Sequence, residues 1–107
     1  HVRHHRKYAD ICVPYEKGFT FRDRAGVVGP HVLCLAEFQR EIQRSPAGML
    51  TLHATHRDFS RWLRDVFQDR ELAQLVRRAE ETVGTHDPEA LRATLGDLLS
   101  LRYGILK

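Results

Sequence analysis

The chain has 107 residues and a mass of 12.4 kDa, which is the length of one domain. Hydrophobic residues make up 42% and charged residues 29%, a balance that excludes a collagen, a disordered tail and a disulfide-rich scaffold. No apolar run approaches the roughly 18 residues that a membrane span requires. The chain starts at His1 and its only methionine is Met49, so we expect a processed or excised piece of a longer protein.

The net charge of +3 is concentrated near the N-terminus. Residues 1–31 hold six Lys or Arg against three Asp or Glu, whereas residues 32–107 are neutral. Arg3, Arg6 and Lys7 form a short basic cluster. A solvated linker is the plainer interpretation of such a cluster, and binding of nucleic acid or another anionic ligand is the alternative.

The first predicted element is a two-stranded hairpin. Apolar and polar residues alternate from Phe19 to Phe21, which indicates a strand. Residues 23–26 have the composition of a turn, and Val27 and Val28 indicate a second extended segment. Gly26 is available for a positive φ in that turn. Since an isolated hairpin is marginal in water, we expect it to pack against the helices that follow.

The remainder is predicted to be helical. Apolar spacing indicates a helix over residues 34–44, and residues 49–52 are assigned to a second, short helix. Residues 55–58 fit a capping box that starts a third helix. The third helix carries the clearest apolar stripe in the chain, formed by Phe59, Trp62, Leu63, Val66 and Phe67.

Two further helices complete the predicted bundle. Asp69 is the expected cap of the fourth helix, whose inner face we assign to Leu72, Leu75, Val76, Ala79 and Val83. Gly84 is expected to end that helix in a left-handed conformation. Asp87 and Pro88 then start the fifth helix, whose apolar positions are Leu91, Leu95, Leu98, Leu99 and Tyr103. Arg61–Asp65 and Arg77–Glu81 are predicted surface pairs.

Metal and nucleophile motifs are not found in the sequence. The seven histidines and the two cysteines, Cys12 and Cys34, lack the spacings of a structural zinc site, so we predict no metal site. Ser60 lies within a predicted helix rather than on a strained nucleophile turn. We therefore assign no catalytic residue and expect two reduced thiols in a cytoplasmic protein.

The best-defined polar group consists of His53, Asp58 and Trp62. An imidazole close to a carboxylate is an acid/base pair or part of a ligand pocket in some proteins. It is equally a buried structural clasp, in which Asp58 accepts a hydrogen bond from His53. Because nothing else catalytic converges there, the clasp is favoured, and the three residues remain binding candidates.

These residues carry a resemblance to a known module. Leu52-His53, Arg57 to Phe67 and Asp69 to Ala73 resemble a helical accessory module with a histidine, an Asp-Phe/Tyr-Ser/Ala-x-Trp core and an acidic-x-x-Leu-Ala start to the next helix. The module is found C-terminal to some bacterial phosphatases of the haloacid dehalogenase superfamily and in other prokaryotic proteins. Residues 4–10, with Pro14 and Phe19 to Phe21, resemble the join to the phosphatase body.

The resemblance implies an accessory role rather than catalysis. Phosphatases of this superfamily use an Asp-x-Asp motif and magnesium, and this chain has no such motif. We therefore expect residues 1–17 to be a linker or basic arm and residues 18–107 to be one helical accessory domain. Its expected partners are a phosphatase body of the same polypeptide or a second copy of the chain, with no cofactor held by this chain and no membrane. The alternative is a stand-alone module that binds an anionic ligand or, less favoured, nucleic acid through the basic N-terminus.

Overall fold

The computed structural model describes residues 11–106, and within them two strands and five α-helices are formed. The elements in order are a 3-10 turn at Tyr15–Lys17, β1 at Phe19–Arg22, β2 at Val28–Val32, α1 at Leu35–Arg44, α2 at Ala47–Thr55, α3 at Asp58–Asp65, α4 at Arg70–Ala79, a π-helical turn at Glu80–Gly84 and α5 at Pro88–Tyr103. The predicted fold class, a small mainly α bundle with an N-terminal two-stranded hairpin, is confirmed. None of the helices in residues 11–106 combines the length and apolarity that crossing a membrane requires.

The hairpin forms as the sequence predicts. β1 and β2 pair antiparallel, with Phe19 opposite Val32, and a bulge lies between Thr20 and Arg22. Gly26 has a φ of +82°, which confirms the positive φ expected in the turn. This conformation is open to glycine because it has no Cβ.

Aromatic rings attach the hairpin to the bundle. The ring centroid of Phe19 lies 5.0 Å from that of Phe21 and 5.8, 5.4 and 5.6 Å from those of Phe38, Phe59 and Trp62. All five side chains are buried, and offset or edge-on ring pairs at these distances stabilise a core. The hairpin therefore contributes to the same hydrophobic core as α1 and α3, which provides the packing that an isolated hairpin lacks.

The start of α3 differs from the predicted capping box. Thr55 is the last residue of α2, and its hydroxyl donates to the carbonyl of Thr51 at 2.8 Å. Arg57 precedes α3 in a left-handed conformation, with a φ of 58°. The capping-box prediction is wrong, because Thr55 still belongs to α2 and Arg57, rather than an extended Thr55, is the residue that precedes α3.

The apolar stripe of α3 is longer than the helix itself. Phe59, Trp62 and Leu63 are buried on α3, which ends at Asp65. Val66 and Phe67 follow the helix and are partly buried against the core. The stripe therefore predicted the side chains that pack inward, although it overestimated the length of the helix.

Asp69 caps α4 as predicted, accepting the backbone N–H of Leu72 at 3.1 Å. Leu72, Val76 and Ala79 are buried, but Leu75 is 40% exposed, so its assignment to the inner face is wrong. The buried arc is centred near Val76, and Leu75 lies about 100° from that centre around the helix.

Gly84 does not end the helix in a left-handed conformation, so that prediction is wrong as well. The chain continues from α4 through the π-helical turn, in which Gly84 is the last residue. A Cβ at Gly84 would lie 2.7 Å from the Cβ of Ala54. Close packing against α2 is therefore the reason that this position needs glycine.

α5 follows its predicted signals. Asp87 accepts the backbone N–H of Ala90 at 3.1 Å, and Pro88 is the first helical residue. Leu91, Leu95, Leu99 and Tyr103 are buried, and Leu98 is partly buried against the core. The helix ends at Gly104, which has a φ of 69°.

Candidate functional site

The structure brings His53 and Asp58 together. His53 is on α2 and is 4% exposed, and its Nδ1 lies 2.8 Å from Oδ2 of Asp58 at the first turn of α3. On the other side of the ring, Nε2 accepts the backbone N–H of Arg22 at 3.0 Å. Because Nε2 accepts, the ring proton is on Nδ1 and is donated to the Asp58 carboxylate.

Trp62 makes the third contact of this group. Its indole N–H donates to the backbone carbonyl of Lys17 at 2.8 Å. His53 and Trp62 thus bind two main-chain groups of the segment that precedes and forms β1. We call this arrangement of His53, Asp58 and Trp62 the hairpin clasp.

The clasp leaves little room for acid/base chemistry at His53. Both ring nitrogens are engaged within the protein, and Asp58 also lies 3.4 Å from Nη1 of Arg61. A shallow pocket of about 350 Å³ borders His53, Asp58 and Trp62.

A second buried polar group, which sequence reasoning missed, joins α4 to the end of α5. Asp69 is 5% exposed, and its carboxylate accepts two hydrogen bonds from Arg102, at 2.5 Å from Nε and 2.8 Å from Nη2. The hydroxyl of Tyr103 also donates to it. The local sequence predicted only the capping role of Asp69, since Arg102 and Tyr103 lie more than 30 residues away.

The surroundings of Asp69 alter its acidity and that of Tyr103. Burial opposes ionisation of Asp69, but the hydrogen bonds from Arg102, Tyr103 and the Leu72 amide outweigh it and hold the pKa of the carboxyl below its ordinary value. Burial, together with the bond to Asp69, raises the pKa of the Tyr103 hydroxyl. Asp69 is therefore a buried carboxylate whose partners stabilise its ionised form.

Glu80 is a third buried polar residue that the sequence did not single out. It opens the π-helical turn and is fully buried, and its Oε2 accepts the backbone N–H of Phe59 at 3.2 Å and that of Ser60 at 3.5 Å. Its Oε1 has no hydrogen-bond partner among residues 11–106. Glu80 therefore caps the first turn of α3 from another element.

The burial of Glu80 has a chemical consequence. Burial raises the pKa of Glu80 to about 7, although the hydrogen bonds from Ser60 and Phe59 and the charge of Arg57 act in the opposite direction. A carboxyl with such a pKa changes charge near neutral pH. Its side chain has no exposed surface in the folded protein, so it offers no acid/base group to a ligand at the surface.

The remaining candidates are placed as follows. Arg3, Arg6 and Lys7 lie outside the described residues. Cys34 is buried, and burial, with a smaller contribution from its hydrogen bond to Cys12, raises the pKa of its thiol. In residues 11–106, no three His, Cys, Asp or Glu side chains are grouped closely enough to hold a metal ion.

One of the two predicted surface pairs forms. Arg77 and Glu81 are 3.2 Å apart, as expected from their spacing on one helix face. The Arg61–Asp65 pair is wrong, because Arg61 lies against Asp58 at 3.4 Å and Asp65 pairs with Arg64 at 2.8 Å. Asp58 and Asp65 lie at opposite ends of α3, and Arg61 contacts the carboxylate at the first turn.

Comparison of the chain with models of protein families, with curated proteins and with solved structures finds no match.

Proposed function

We propose that this chain is a non-catalytic accessory domain of a hydrolase resembling the haloacid dehalogenase phosphatases. The observation that carries the proposal is the hairpin clasp. The residues with the strongest claim to acid/base chemistry, His53 and Asp58, are engaged with each other and with the backbone of Arg22. Their hydrogen bonds hold the N-terminal segment against the bundle, which is a structural task.

Exposed apolar side chains on the same part of the chain support an attachment role. Among the described residues, four of the seven large hydrophobic side chains that are exposed precede α1, and these are Ile11, Tyr15, Val27 and Val28. Each is at least half exposed. A hydrolase body attached before the hairpin would pack against these apolar side chains. The clasp would limit how far the hairpin can move.

The proposal predicts that the purified chain has no phosphatase activity. The assay is turnover of p-nitrophenyl phosphate and of a sugar phosphate in the presence of Mg²⁺. Asp58→Asn is the diagnostic variant, because an asparagine Oδ1 still accepts the Nδ1–H of His53 while the carboxylate charge is lost. Turnover by the purified chain that Asp58→Asn abolishes would overturn the accessory role.

A second experiment addresses the attachment directly. Reading the coding sequence upstream of His1 shows whether a hydrolase body is fused to the chain. A phosphatase body with an Asp-x-Asp motif in the same reading frame supports the proposal. A start codon immediately before His1 contradicts the fused arrangement and leaves a stand-alone binding module as the better hypothesis.

A further inference from the structure

α3 and α4 pack beside each other and leave a groove of about 560 Å³ between them. Five arginines line it, namely Arg57, Arg61, Arg64, Arg70 and Arg77. We call this feature the arginine groove. It lies in the part of the sequence that is neutral overall, so the excess of arginine arises from how the helices arrange their side chains.

Helical periodicity explains the convergence. Arg57, Arg61 and Arg64 follow one another at spacings of four and three, which places them on one face at the start and along the length of α3. Arg70 and Arg77 are two turns apart on α4. Each row extends for about 10 Å along its helix, and the two rows border the same groove.

Small side chains allow the two helices to approach. Ser60 on α3 and Ala73 on α4 also line the groove, and both are buried, each with 5% of its surface exposed. Large residues at these two positions would fill the space between the rows. The groove is therefore lined by small buried residues and by long cationic side chains.

The arginines keep much of their capacity to bind an anion. Arg61, Arg64 and Arg77 pair with Asp58, Asp65 and Glu81, but all three guanidinium-bearing side chains are more than half exposed. Exposed ion pairs of this kind are weak because water screens them, so a ligand of higher charge can replace them. Arg70 is exposed, and its side chain forms no ion pair or hydrogen bond with another of residues 11–106.

We propose that the arginine groove binds a compact ligand carrying several phosphate groups, such as a polyphosphate chain. Arg57 is the least available of the five, because its guanidinium donates to the carbonyls of Ala54 and Thr55 and lies 3.7 Å from Glu81. The planar guanidinium matches two oxygens of a phosphate at once, and the four remaining groups still exceed what one phosphate can engage. The volume is that of a small-molecule site. No aromatic side chain lines the groove, so it lacks the stacking surface with which single-stranded nucleic acids are bound. This proposal is independent of the accessory role proposed above.

The test is calorimetric titration of the purified chain with sodium tripolyphosphate, with sodium sulfate as the comparison anion. We expect tripolyphosphate to bind in preference to sulfate. Replacing Arg70 and Arg77 by glutamine should weaken binding by about tenfold or more, since two guanidinium groups that donate charge-assisted hydrogen bonds to phosphate are lost. Arg78→Gln is the matched control, because Arg78 neighbours Arg77 on α4 but does not line the groove.

A second variant adds charge without removing an arginine. Gln74 lines the groove and is exposed, so Gln74→Glu places a carboxylate among the guanidinium groups while leaving the core untouched. It should also weaken tripolyphosphate binding. Thermal unfolding of each variant without ligand checks that the fold is retained.

Three outcomes would overturn the proposal. The first is no binding of tripolyphosphate at about 0.15 M salt, where screening is physiological. The second is binding that the Arg70/Arg77 variant and the Arg78 variant reduce equally, which would indicate non-specific attraction. The third is tight binding of a DNA duplex, lost in the groove variants, by a chain that does not bind tripolyphosphate, which would identify a nucleic-acid surface instead.

Discussion

The carboxylate of Glu80 caps α3 through the backbone N–H of Phe59, although the two residues lie 21 positions apart in the sequence. Glu80 reaches this position from the π-helical turn that continues α4. One buried side chain thus links the end of one helix to the start of another.

Glu80 should make the protein less stable as the pH rises towards neutrality. The pKa of its carboxyl is raised to about 7 in the folded state, from an ordinary value of 4.5. The folded state therefore holds a proton that the unfolded state releases, and the free energy of unfolding falls between pH 4.5 and about pH 7. The shift corresponds to a loss of about 3 kcal/mol over that range.

Glu80→Gln removes this titration, and we expect its free energy of unfolding to lose that part of the pH dependence. Urea denaturation at a series of pH values measures it. Glu16→Gln, at an exposed position, is the control for loss of one negative charge and should retain the wild-type slope. Identical slopes for wild type and Glu80→Gln would show that Glu80 does not titrate in this range.

Asp69 should have the opposite effect at low pH. The pKa of its carboxyl is held below the ordinary 3.8, so its stabilisation is present above that pH and is lost as the pH falls through the lower folded-state value. Asp69→Asn removes the carboxylate that accepts two hydrogen bonds from the partly exposed Arg102 and leaves Glu71, at 3.5 Å, as its acidic neighbour, so at neutral pH we expect a loss of about 2 kcal/mol.

Asp87→Asn provides the matched control for Asp69→Asn. Asp87 also caps a helix, but at an exposed position. Since asparagine caps helices as well as aspartate does, this variant should change stability little. Equal losses in the two variants would mean that a carboxylate charge at a helix N-terminus, rather than the pair with Arg102, is the source of the stability.

The hairpin clasp makes a prediction about local opening. Trp62→Phe retains a buried ring but removes the hydrogen bond to the carbonyl of Lys17, which should cost about 1 kcal/mol. His53→Ala removes both bonds of the imidazole and leaves a cavity, so its cost should be larger. In His53→Ala the backbone amide of Arg22 should exchange with solvent faster than in the wild type.

Amide hydrogen exchange followed by NMR measures that opening residue by residue. His56→Ala is the control, because His56 is exposed and lies three residues from His53. Unchanged protection of the Arg22 amide in His53→Ala would show that the imidazole does not hold β1.

Gly84 should not tolerate even one additional carbon. Its missing Cβ would lie 2.7 Å from the Cβ of Ala54, so Gly84→Ala should destabilise the protein by about 2 kcal/mol through overpacking. Adding Ala54→Gly should restore part of the loss. Gly48→Ala on α2 is the control, because open space surrounds that position and the free energy of unfolding should stay equal or rise slightly. Denaturation midpoints of the wild type and the three variants provide the comparison, and a Gly84→Ala protein as stable as Gly48→Ala would contradict the packing argument.

Local chemistry accounts for the elements that the sequence predicted. Asp69 and Asp87 cap helices by accepting backbone N–H groups three residues away. Gly26 adopts its positive φ because of the geometry of the turn in which it lies. Such signals lie within a few neighbouring residues, so helix caps and turns of this kind can be predicted from the sequence alone.

Several of the predictions that failed, or were not made, depend on distant contacts. The position of Gly84 after an apolar helical stripe suggests a helix C-cap. Glycine is needed there, however, because Ala54, 30 residues earlier in the sequence, packs too closely to leave room for a Cβ. Glu80 and the partners of Asp69 are buried by elements that meet only in the folded chain. The arginine rows of α3 and α4 are visible in the sequence, yet only the packing of the two helices brings them to one groove.

The clasp binds main-chain atoms of its target, namely the carbonyl of Lys17 and the N–H of Arg22. The side chains at positions 17 and 22 therefore do not affect the two hydrogen bonds of the clasp, with one exception. Proline at position 22 would remove the donor. The outer surface of the N-terminal segment can consequently change its chemistry through substitution, and so its choice of neighbour, without loosening its attachment to the bundle.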